Sequence, residues 1–371
     1  MNLNISVLSG DGIGPEVTKQ AIKVLDAIAA KYNHTFNYSH QLVGAVAIDK
    51  TGEPLPEVTL NSCKNTDAIL FGAIGDPKYD NDPTAKVRPE QGLLALRKAL
   101  GLFGNIRPVK AYDALLNKSP LKKENIQGVD IVIYRELTGG IYFGEKTLSN
   151  DGTKASDLCS YSEKEITRIA ILAFEAAKKR NKKLTLVDKA NVLETSRLWR
   201  KVVSEIAKNY PEVTLDFLFV DNAAMQIILN PKQFDVILTE NMFGDIISDE
   251  ASVIGGSIGL LASASVGSEV ALFEPIHGSY PQATGKGLAN PIASILSAAM
   301  LLAHFNLHEE AAEIEAAVEQ SIALQVCTPD LNATGNYTTD AVGDFIEEYI
   351  AEQDRMCLNT SNIEMGQSTI I

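Results

Sequence analysis

Two aspartates in the segment from Gly244 to Glu250 are spaced so that they could hold a metal ion. Asp245 and Asp249 are four residues apart, and this spacing places both carboxylates on one face of a helix. Like charges at this spacing destabilise a helix by about 0.2 to 0.5 kcal/mol unless a ligand neutralises them. Carboxylates without His or Cys suit Mg²⁺ or Mn²⁺ better than zinc. The alternative, which this segment leaves open, is that the acids stabilise a helix N-terminus through its dipole.

Three arginines, Arg97, Arg107 and Arg135, carry the opposite charge. A guanidinium group binds a carboxylate through two parallel hydrogen bonds, so three converging arginines would suit a substrate with more than one carboxylate. The helix face that carries Arg97 would also carry an acid and two leucines: Glu90, Leu93 and Leu94. This mixture suits a pocket wall better than a core stripe or a solvated face. From spacing alone, surface salt bridges remain the safer interpretation of each arginine.

Polar side chains follow four predicted strands, at the point where each strand ends. They are Arg135; Asp188, Lys189 and Asn191; Asp221 and Asn222; and Glu240 and Asn241. In open α/β sheets, ligands bind outside the carboxyl ends of the strands. Any one of these strand ends could simply be solvated, but four in series predict a binding site.

The predicted strands are short apolar runs rich in branched residues, and amphipathic stretches separate them. They are Ile5 to Leu8, Ala68 to Gly72, Ile131 to Tyr134, Leu184 to Val187, Leu215 to Val220 and Asp235 to Leu238. The first helix opens at Pro15, a favourable first helical position. Its apolar stripe consists of Val17, Ala21, Val24, Leu25 and Ile28. This alternation predicts an α/β protein with largely parallel sheets.

Glycine-bearing segments at residues 101–105 and 255–259 indicate where the chain leaves one domain and returns to it. We therefore predict a first domain of residues 1–102 and 256–371 and a second domain of residues 103–255. Within the second domain, Gly139, Gly140 and the turn Asn150-Asp151-Gly152 predict a β-hairpin over residues 138–161. A plain surface hairpin and an arm that pairs with another subunit are equally open interpretations.

The glycine turn Gly10-Asp11-Gly12-Ile13-Gly14-Pro15 does not match the dinucleotide-binding fingerprint GxGxxG. Its third glycine comes one residue early, and Asp11 would face a pyrophosphate with like charge. No second strand that ends in an acid follows at about 20 residues. As a bare glycine turn, this segment does not by itself indicate a function.

Composition excludes several classes of partner. The 371 residues include 47 acidic and 33 basic side chains, for a formal charge of -14. A field of this sign repels nucleic acid and anionic membranes, so we expect neither as a partner. The longest mostly apolar stretch, Ile292 to Phe305, is too short to span a bilayer, and no secretory signal is visible. We expect a soluble, cytoplasmic protein.

A series of motifs along nearly the whole chain resembles the decarboxylating β-hydroxyacid dehydrogenases, the isocitrate/isopropylmalate dehydrogenase family. The motifs are GDGIGPE, RPEQGLLALR, NIRP, IVIYRELTGGIYFG, VDKANVL, VDNAAMQ, NMFGDIISDEAS and EPIHGS…GKGLANP. Their order and spacing are highly specific, unlike the opening glycines. Within the family, the chain most resembles the members that act on 3-isopropylmalate in leucine biosynthesis.

The resemblance implies a reaction and an architecture. The reaction is oxidation of (2R,3S)-3-isopropylmalate by NAD⁺, followed by loss of CO₂ to give 4-methyl-2-oxopentanoate. The fold is a two-domain α/β architecture distinct from the Rossmann fold, with the first domain on the cofactor side and the second for dimerisation and metal binding. Members are homodimers whose active sites contain residues of both subunits.

The resemblance also implies roles for individual residues. Lys189 of one subunit would be the general base and Tyr142 the general acid. The metal, Mg²⁺ or Mn²⁺, would be held by Asp245 and Asp249 together with Asp221 from the partner chain. The substrate would contact Glu90, Leu93, Leu94, Arg97, Arg107, Arg135, Asn191 and Val192. The cofactor would contact Glu274, His277, Gly278, Ser279, Gln282, Ala283, Asn290 and Asp330.

One position departs from the pattern of many NAD-dependent relatives. Where they carry an acid that binds the adenosine ribose hydroxyls, this chain has Gln282. The Lys and Tyr pair typical of NADP-dependent isocitrate relatives is absent at Gln282 and Ala283. We therefore predict a preference for NAD that is smaller than an acid would produce.

Three alternatives remain. Isocitrate, homoisocitrate or tartrate dehydrogenases would keep the arginines and metal ligands but change the wall formed by Glu90, Leu93 and Leu94. A carboxylate-binding protein without turnover would not need the pair Lys189 and Tyr142. A metal-dependent phosphohydrolase would not explain the EPIHGS segment.

Overall fold

The structure is a computed structural model that describes residues 1–81 and 86–366. The chain divides into two compact units, Met1–Pro89 with His277–Ile371, and Glu90–Ile276. The predicted domain boundaries, after residues 102 and 255, differ from the limits of these units. The assignment of separate roles to the two domains stays a prediction.

The strands and helices alternate along most of the chain, as the sequence predicts. The strands are β1 (Asn2–Gly10), β2 (Thr35–His40), β3 (Ala68–Ala73), β4 (Gly104–Lys110), β5 (Asp130–Glu136), β6 (Lys146–Leu148), β7 (Ala155–Asp157), β8 (Lys183–Asp188), β9 (Thr214–Phe219), β10 (Val236–Thr239), β11 (Ala262–Val266) and β12 (Ala271–Pro275). The helices are α1 (Gly14–Tyr32), α2 (Ala45–Thr51), α3 (Glu57–Lys64), α4 (Pro77–Asp80), α5 (Glu90–Ala99), α6 (Lys123–Ile126), α7 (Glu163–Lys179), α8 (Glu194–Ala207), α9 (Val220–Leu229), α10 (Asn241–Ser252), α11 (Ile292–His304), α12 (His308–Ala323) and α13 (Thr339–Gly366).

In the first unit, the parallel strands lie in the order β2-β1-β3. Helix α1 packs against β3, α11 and α13. The five residues predicted for its apolar stripe, Val17, Ala21, Val24, Leu25 and Ile28, are all fully buried. Apolar spacing with the period of a helix therefore located this core correctly.

In the second unit, the strands lie in the order β12-β11-β4-β5-β10-β8-β9. The pairs from β12 to β5 are antiparallel, whereas β5, β10, β8 and β9 run parallel. Alternate side chains of these parallel strands enter two separate cores. In β10, Val236 and Leu238 pack with α7 and α8, whereas Ile237 packs with α9 and α10. The carboxyl ends of the four parallel strands lie at one edge of the sheet, as the sequence-based prediction of a site requires.

The glycine turn after β1 has a structural role. The Asp11 carboxylate is buried and accepts backbone hydrogen bonds from Ala45, Val46 and Gly75. A Cβ atom at Gly12 would lie 2.0 Å from the carbonyl oxygen of Ser279. The turn therefore anchors α2 and lets a distant loop approach the backbone closely, in keeping with the absence of the Rossmann fingerprint.

A hairpin is present within residues 138–161. Strands β6 and β7 pair antiparallel, and all six of their residues are exposed. Whether it pairs with another subunit stays a prediction. None of the helices within residues 1–81 and 86–366 has both the length and the apolar character needed to cross a membrane.

Candidate active site

Two buried arginines lie on neighbouring strands of the second unit. Arg135, at the end of β5, is opposite Asn105 of β4, and Arg107 is two residues further along β4. Their relative exposures are only 4% and 8%. Burial, followed by repulsion from Arg107, lowers the pKa of Arg135 to about 10. Two buried guanidinium groups so close together favour an anionic ligand.

Helix α10 brings two acids to these arginines. The Glu240 carboxylate caps the helix by accepting a hydrogen bond from the backbone nitrogen of Phe243 at 3.1 Å. Asp245 contacts Nη1 of Arg135, and its Oδ1 is 3.7 Å from Nη2 of Arg107. Asp249 lies 3.2 Å from Nη1 of Arg107. Two of the three predicted arginines and two of the three predicted metal-binding aspartates therefore converge within one chain.

Tyr142 joins the same group from the turn that follows β5. Its hydroxyl donates a hydrogen bond to Oδ2 of Asp245 at 2.9 Å. Its ring lies 5.7 Å from the guanidinium carbon of Arg135. Partial burial, and then the hydrogen bond to Asp245, raise the pKa of the Tyr142 phenol. The phenol therefore keeps its proton at neutral pH, as a proton donor must.

Lys189 and Asp221 form a second group. Nζ of Lys189 is 2.6 Å from Oδ1 of Asp221 and 5.9 Å from the ring centre of Phe219. The hydrogen bond from Lys189 lowers the pKa of Asp221. The two predicted substrate residues that follow Lys189, Asn191 and Val192, are both exposed. Asp221 lies in the first turn of α9, so the predicted end of this strand is in fact a helix start.

The predicted metal ligands are only partly assembled. No group of three or more His, Cys, Asp or Glu side chains that could hold an ion occurs within the described parts of the chain, residues 1–81 and 86–366. Asp245 and Asp249 contact arginines, and Asp221 contacts Lys189. Two carboxylates on one helix face have the right oxygen chemistry for Mg²⁺ or Mn²⁺. They fit such an ion if a further carboxylate comes from another copy of the chain.

Helix α5 carries the predicted substrate wall. Leu94 is 44% exposed, and Glu90 and Leu93 are half-buried on the same helix. Nη2 of Arg97 is 2.7 Å from Oε1 of Glu274, which is buried at the end of β12. Glu274, predicted to contact the cofactor, therefore pairs with an arginine predicted to contact the substrate.

The remaining predicted cofactor residues lie in the first unit. The carbonyl of Ser279 accepts a hydrogen bond from the backbone of Ile13 at 2.8 Å. His277 Nδ1 is 3.0 Å from the carbonyl of Gly278, and burial lowers the pKa of His277. His277 Nε2 has no hydrogen-bond partner among the described residues. A buried acceptor of this kind fits a ligand that carries an N–H donor, as adenine does.

The other predicted cofactor positions differ in exposure. Gln282 and Gly278 are exposed, whereas Ala283 is buried. Asn290 donates a hydrogen bond to Asp330 at 3.0 Å and, through its side-chain oxygen, accepts one from the backbone of Ile292. Among the predicted cofactor residues, Asn290 and Asp330 are therefore hydrogen-bonded to each other.

Four further residues shape the site, and sequence reasoning did not assign them roles. Asn241 and Ser248 bond to Arg135 and Arg107, respectively. A Cβ atom at Gly244 would lie 2.6 Å from Cγ of Arg135, so a side chain there would displace the arginine. Glu136, which is fully buried, accepts the backbone hydrogen bonds of Thr138 and Gly139. Of these four residues, only Asn241 could have been suspected from the sequence, because it follows a predicted buried strand.

The comparisons with known proteins identify the family and the fold of this chain. The model of the isocitrate/isopropylmalate dehydrogenase family matches residues 4–346. The chain belongs to this family of dehydrogenases, and its α/β fold is that of the family.

The chain is similar over most of its length to individual members of the family. A 3-isopropylmalate dehydrogenase of Bacteroides fragilis is 56% identical over 352 residues, which cover 94% of this chain and 99% of the relative. Another from Aquifex aeolicus is 54% identical over 335 residues, or 89% of this chain and 92% of the relative. The crystal structure of isocitrate dehydrogenase from Methylococcus capsulatus is 34% identical, has a TM-score of 0.83, and the match covers 94% of this chain and 99% of that one.

Proposed function

We propose that the protein oxidises and decarboxylates (2R,3S)-3-isopropylmalate in leucine biosynthesis, with NAD⁺ as the hydride acceptor. The observation that carries this proposal is the group formed by Arg107, Arg135, Tyr142, Asp245 and Asp249. It combines buried cations for an anionic substrate, two carboxylates of suitable chemistry for a divalent ion and a protonated phenol. The names of the relatives agree with this substrate. The cytoplasm is the compartment that we propose for the reaction.

The residues of this group, together with Arg97 and Lys189, have parts in the reaction. Arg97, Arg107 and Arg135 bind the two substrate carboxylates, since the guanidinium fork matches the geometry of a carboxylate. Lys189 accepts the proton of the substrate hydroxyl as the hydride leaves the carbon that bears it. A bound NAD⁺ would supply the hydride acceptor, and a Mg²⁺ or Mn²⁺ ion held by Asp245 and Asp249, with Asp221 from the partner chain, would supply Lewis acidity. After CO₂ departs, Tyr142 donates its phenolic proton to the enolate carbon.

We propose that two copies of the chain complete each site. Lys189 and Asp221 contact each other within one chain, and a partner chain would present them to the group around Asp245. Apolar side chains that a partner would cover are exposed on the neighbouring helices α9 and α10 and directly after α10: Met225, Ile228, Leu229, Ile246 and Val253. Exposed apolar residues clustered on adjoining helices are typical of an association surface. The homodimer is therefore part of the proposal.

The substrate and cofactor preferences follow from two positions. Leu93 and Leu94 would pack on the isopropyl group, while the charge of Glu90 would repel a substrate with a third carboxylate in that place. The Gln282 side chain is exposed and uncharged, so it would accept hydrogen bonds from ribose hydroxyls without strongly repelling a 2′-phosphate. We propose a moderate preference for NAD over NADP.

The decisive experiment measures NADH formation with isopropylmalate, isocitrate, homoisocitrate and tartrate side by side, in Mg²⁺ or Mn²⁺. We expect the highest kcat/KM with isopropylmalate, and loss of activity in excess chelator. Faster turnover of isocitrate would favour the activity named for the Methylococcus relative. Binding of these acids without any NADH would instead indicate a carboxylate-binding protein, and full activity in chelator would contradict the metal requirement.

A further inference from the structure

Asn241 connects two parts of the candidate site. It is fully buried at the first position of α10. Its side-chain oxygen accepts hydrogen bonds from Nε and Nη2 of Arg135, at 3.0 and 2.7 Å. Its side-chain nitrogen donates to the carbonyl of Gly139 at 3.1 Å. The orientation of the carboxamide is therefore defined, since a flip would place its donors against a guanidinium group.

The first connection orients Arg135. With Nε and Nη2 engaged by Asn241, the guanidinium plane is held at two points, and Nη1 remains toward Asp245. A buried arginine held in this way loses little rotational freedom when it binds a carboxylate. Asn241 therefore determines how Arg135 meets the substrate.

The second connection holds the turn that carries Tyr142. Gly139 directly precedes the single helical turn Gly140–Tyr142. A Cβ atom at Gly139 would lie 2.7 Å from the ring of Tyr161, so the turn packs closely on this ring. The Tyr161 hydroxyl in turn accepts the backbone hydrogen bond of Asn241 at 2.9 Å. Asn241 thus contacts the turn directly through its side chain and indirectly through Tyr161.

We propose that Asn241 is a positioning residue that couples substrate binding at Arg135 to proton delivery by Tyr142. This inference rests on the proposed function, in which Tyr142 is the acid. A displacement of about 1 Å in a reacting group can lower a rate by about 10²-fold. Movement of the Gly139 turn should therefore impair the proton step as well as substrate binding.

Asn105 provides a matched control. It is equally buried, and its side-chain oxygen accepts a hydrogen bond from Nε of Arg107 at 2.8 Å. Its side-chain nitrogen donates to Ser263 of β11 at 2.8 Å. Asn105 therefore orients an arginine as Asn241 does. Its side-chain nitrogen, however, bonds to β11, whereas that of Asn241 bonds to the turn that carries Tyr142.

The experiment compares Asn241→Asp with Asn105→Asp in the full-length protein with Mg²⁺. Each substitution keeps an acceptor for its arginine, adds one negative charge and replaces a donor with an acceptor. The first readout is kcat and KM for isopropylmalate. The second is deuterium exchange at C3 of 4-methyl-2-oxopentanoate in D₂O with NADH present, followed by NMR. In this exchange the Tyr142 phenol first releases its proton to the solvent, and the resulting phenolate accepts a proton from C3 to leave an enolate. The phenol then exchanges its proton with D₂O and returns a deuteron to the same carbon.

We expect both variants to raise KM. Only Asn241→Asp should also slow the exchange at saturating 2-oxo acid, by about 10-fold to 10²-fold. Adding Asn241→Asp to Tyr142→Phe should cause no further loss of exchange, because both changes act on one proton transfer. If Asn241→Asp does not fold, as judged by circular dichroism, Asn241→Ser is measured in its place.

The possible outcomes separate this inference from the proposed function. The coupling alone is overturned if the unmodified protein forms NADH from isopropylmalate but the Asn241→Asp and Asn105→Asp variants exchange deuterium at the same rate. An additional loss in the double variant also overturns it. Failure of the unmodified protein to form NADH overturns the proposed function and this inference with it.

Discussion

Hybrid dimers test whether two chains share each active site. Lys189 and Asp245 belong to separate groups within one chain, since Lys189 contacts Asp221 and Asp245 contacts Arg135 and Tyr142. We consider Asp245→Asn, which keeps the side-chain shape, and Lys189→Met, which removes the base. Lys189→Met alone should retain below about 1% of the wild-type rate, because removal of an acid-base group typically costs about 10²-fold or more. Asp245→Asn alone should lose activity to a similar degree, because it removes a charge expected to hold the metal ion.

The arrangement of the site sets the expected recovery. Random exchange of equal amounts of the two variants makes about half of all dimers hybrids, and a two-fold dimer has two equivalent sites. If Lys189 acts on the partner's Asp245 group, one site of each hybrid carries both substitutions and the other carries neither. About a quarter of the wild-type rate should then return. Sites built from one chain would all remain defective.

A matched pair controls for changes caused by mixing. Tyr142 and Asp245 are hydrogen-bonded within one chain at 2.9 Å, so Tyr142→Phe mixed with Asp245→Asn should restore nothing. The assay is NADH formation, with the hybrid fraction measured by native mass spectrometry of subunits that carry different tags. Absence of recovery in proven Lys189 and Asp245 hybrids would refute the shared site, as would equal recovery in the control pair.

Three further predictions concern specificity and packing. Glu90→Gln should raise kcat/KM for isocitrate relative to isopropylmalate, because it removes the charge that repels a third carboxylate; an unchanged ratio in paired NADH assays would contradict this role. Gln282→Asp should increase the ratio of kcat/KM for NAD⁺ to that for NADP⁺ through repulsion of the 2′-phosphate, whereas Gln282→Asn should leave the ratio nearly unchanged. The same ratio in Gln282→Asp as in the wild-type protein would show that this position does not face the cofactor ribose. Gly244→Ala should lower kcat/KM and the free energy of unfolding, the latter by about 1 to 3 kcal/mol, because its methyl group would lie 2.6 Å from Cγ of Arg135. Gly255→Ala is its control, since the nearest atom to a Cβ there is 3.6 Å away, and equal urea unfolding curves for the two variants would contradict the packing argument.

Several features of the protein could be read from the sequence alone. The predicted strands at Ile131 to Tyr134 and Leu184 to Val187 lie within β5 and β8, and the buried stripe of α1 matches its apolar spacing. The i, i+4 relation of Asp245 and Asp249 also follows from helix geometry. These features depend on residues close together in the chain, whose periodicity sets which face is buried. The motifs also identified the family, which the comparisons confirm.

Contacts between distant segments were decided by the tertiary structure. Arg97 and Glu274 are 177 residues apart, and their ion pair could not be predicted because it depends on how a helix and a strand from distant parts of the chain are placed in the fold. The same holds for Gly12 against Ser279 and for the bonds of Asn241 to Arg135 and Gly139. Apolar periodicity specifies which face of a strand is buried but not which polar atom lies beside it on the next strand. The pairing of β5 with β10 in the folded sheet places Asn241, which follows β10, beside Arg135 and the turn that carries Tyr142.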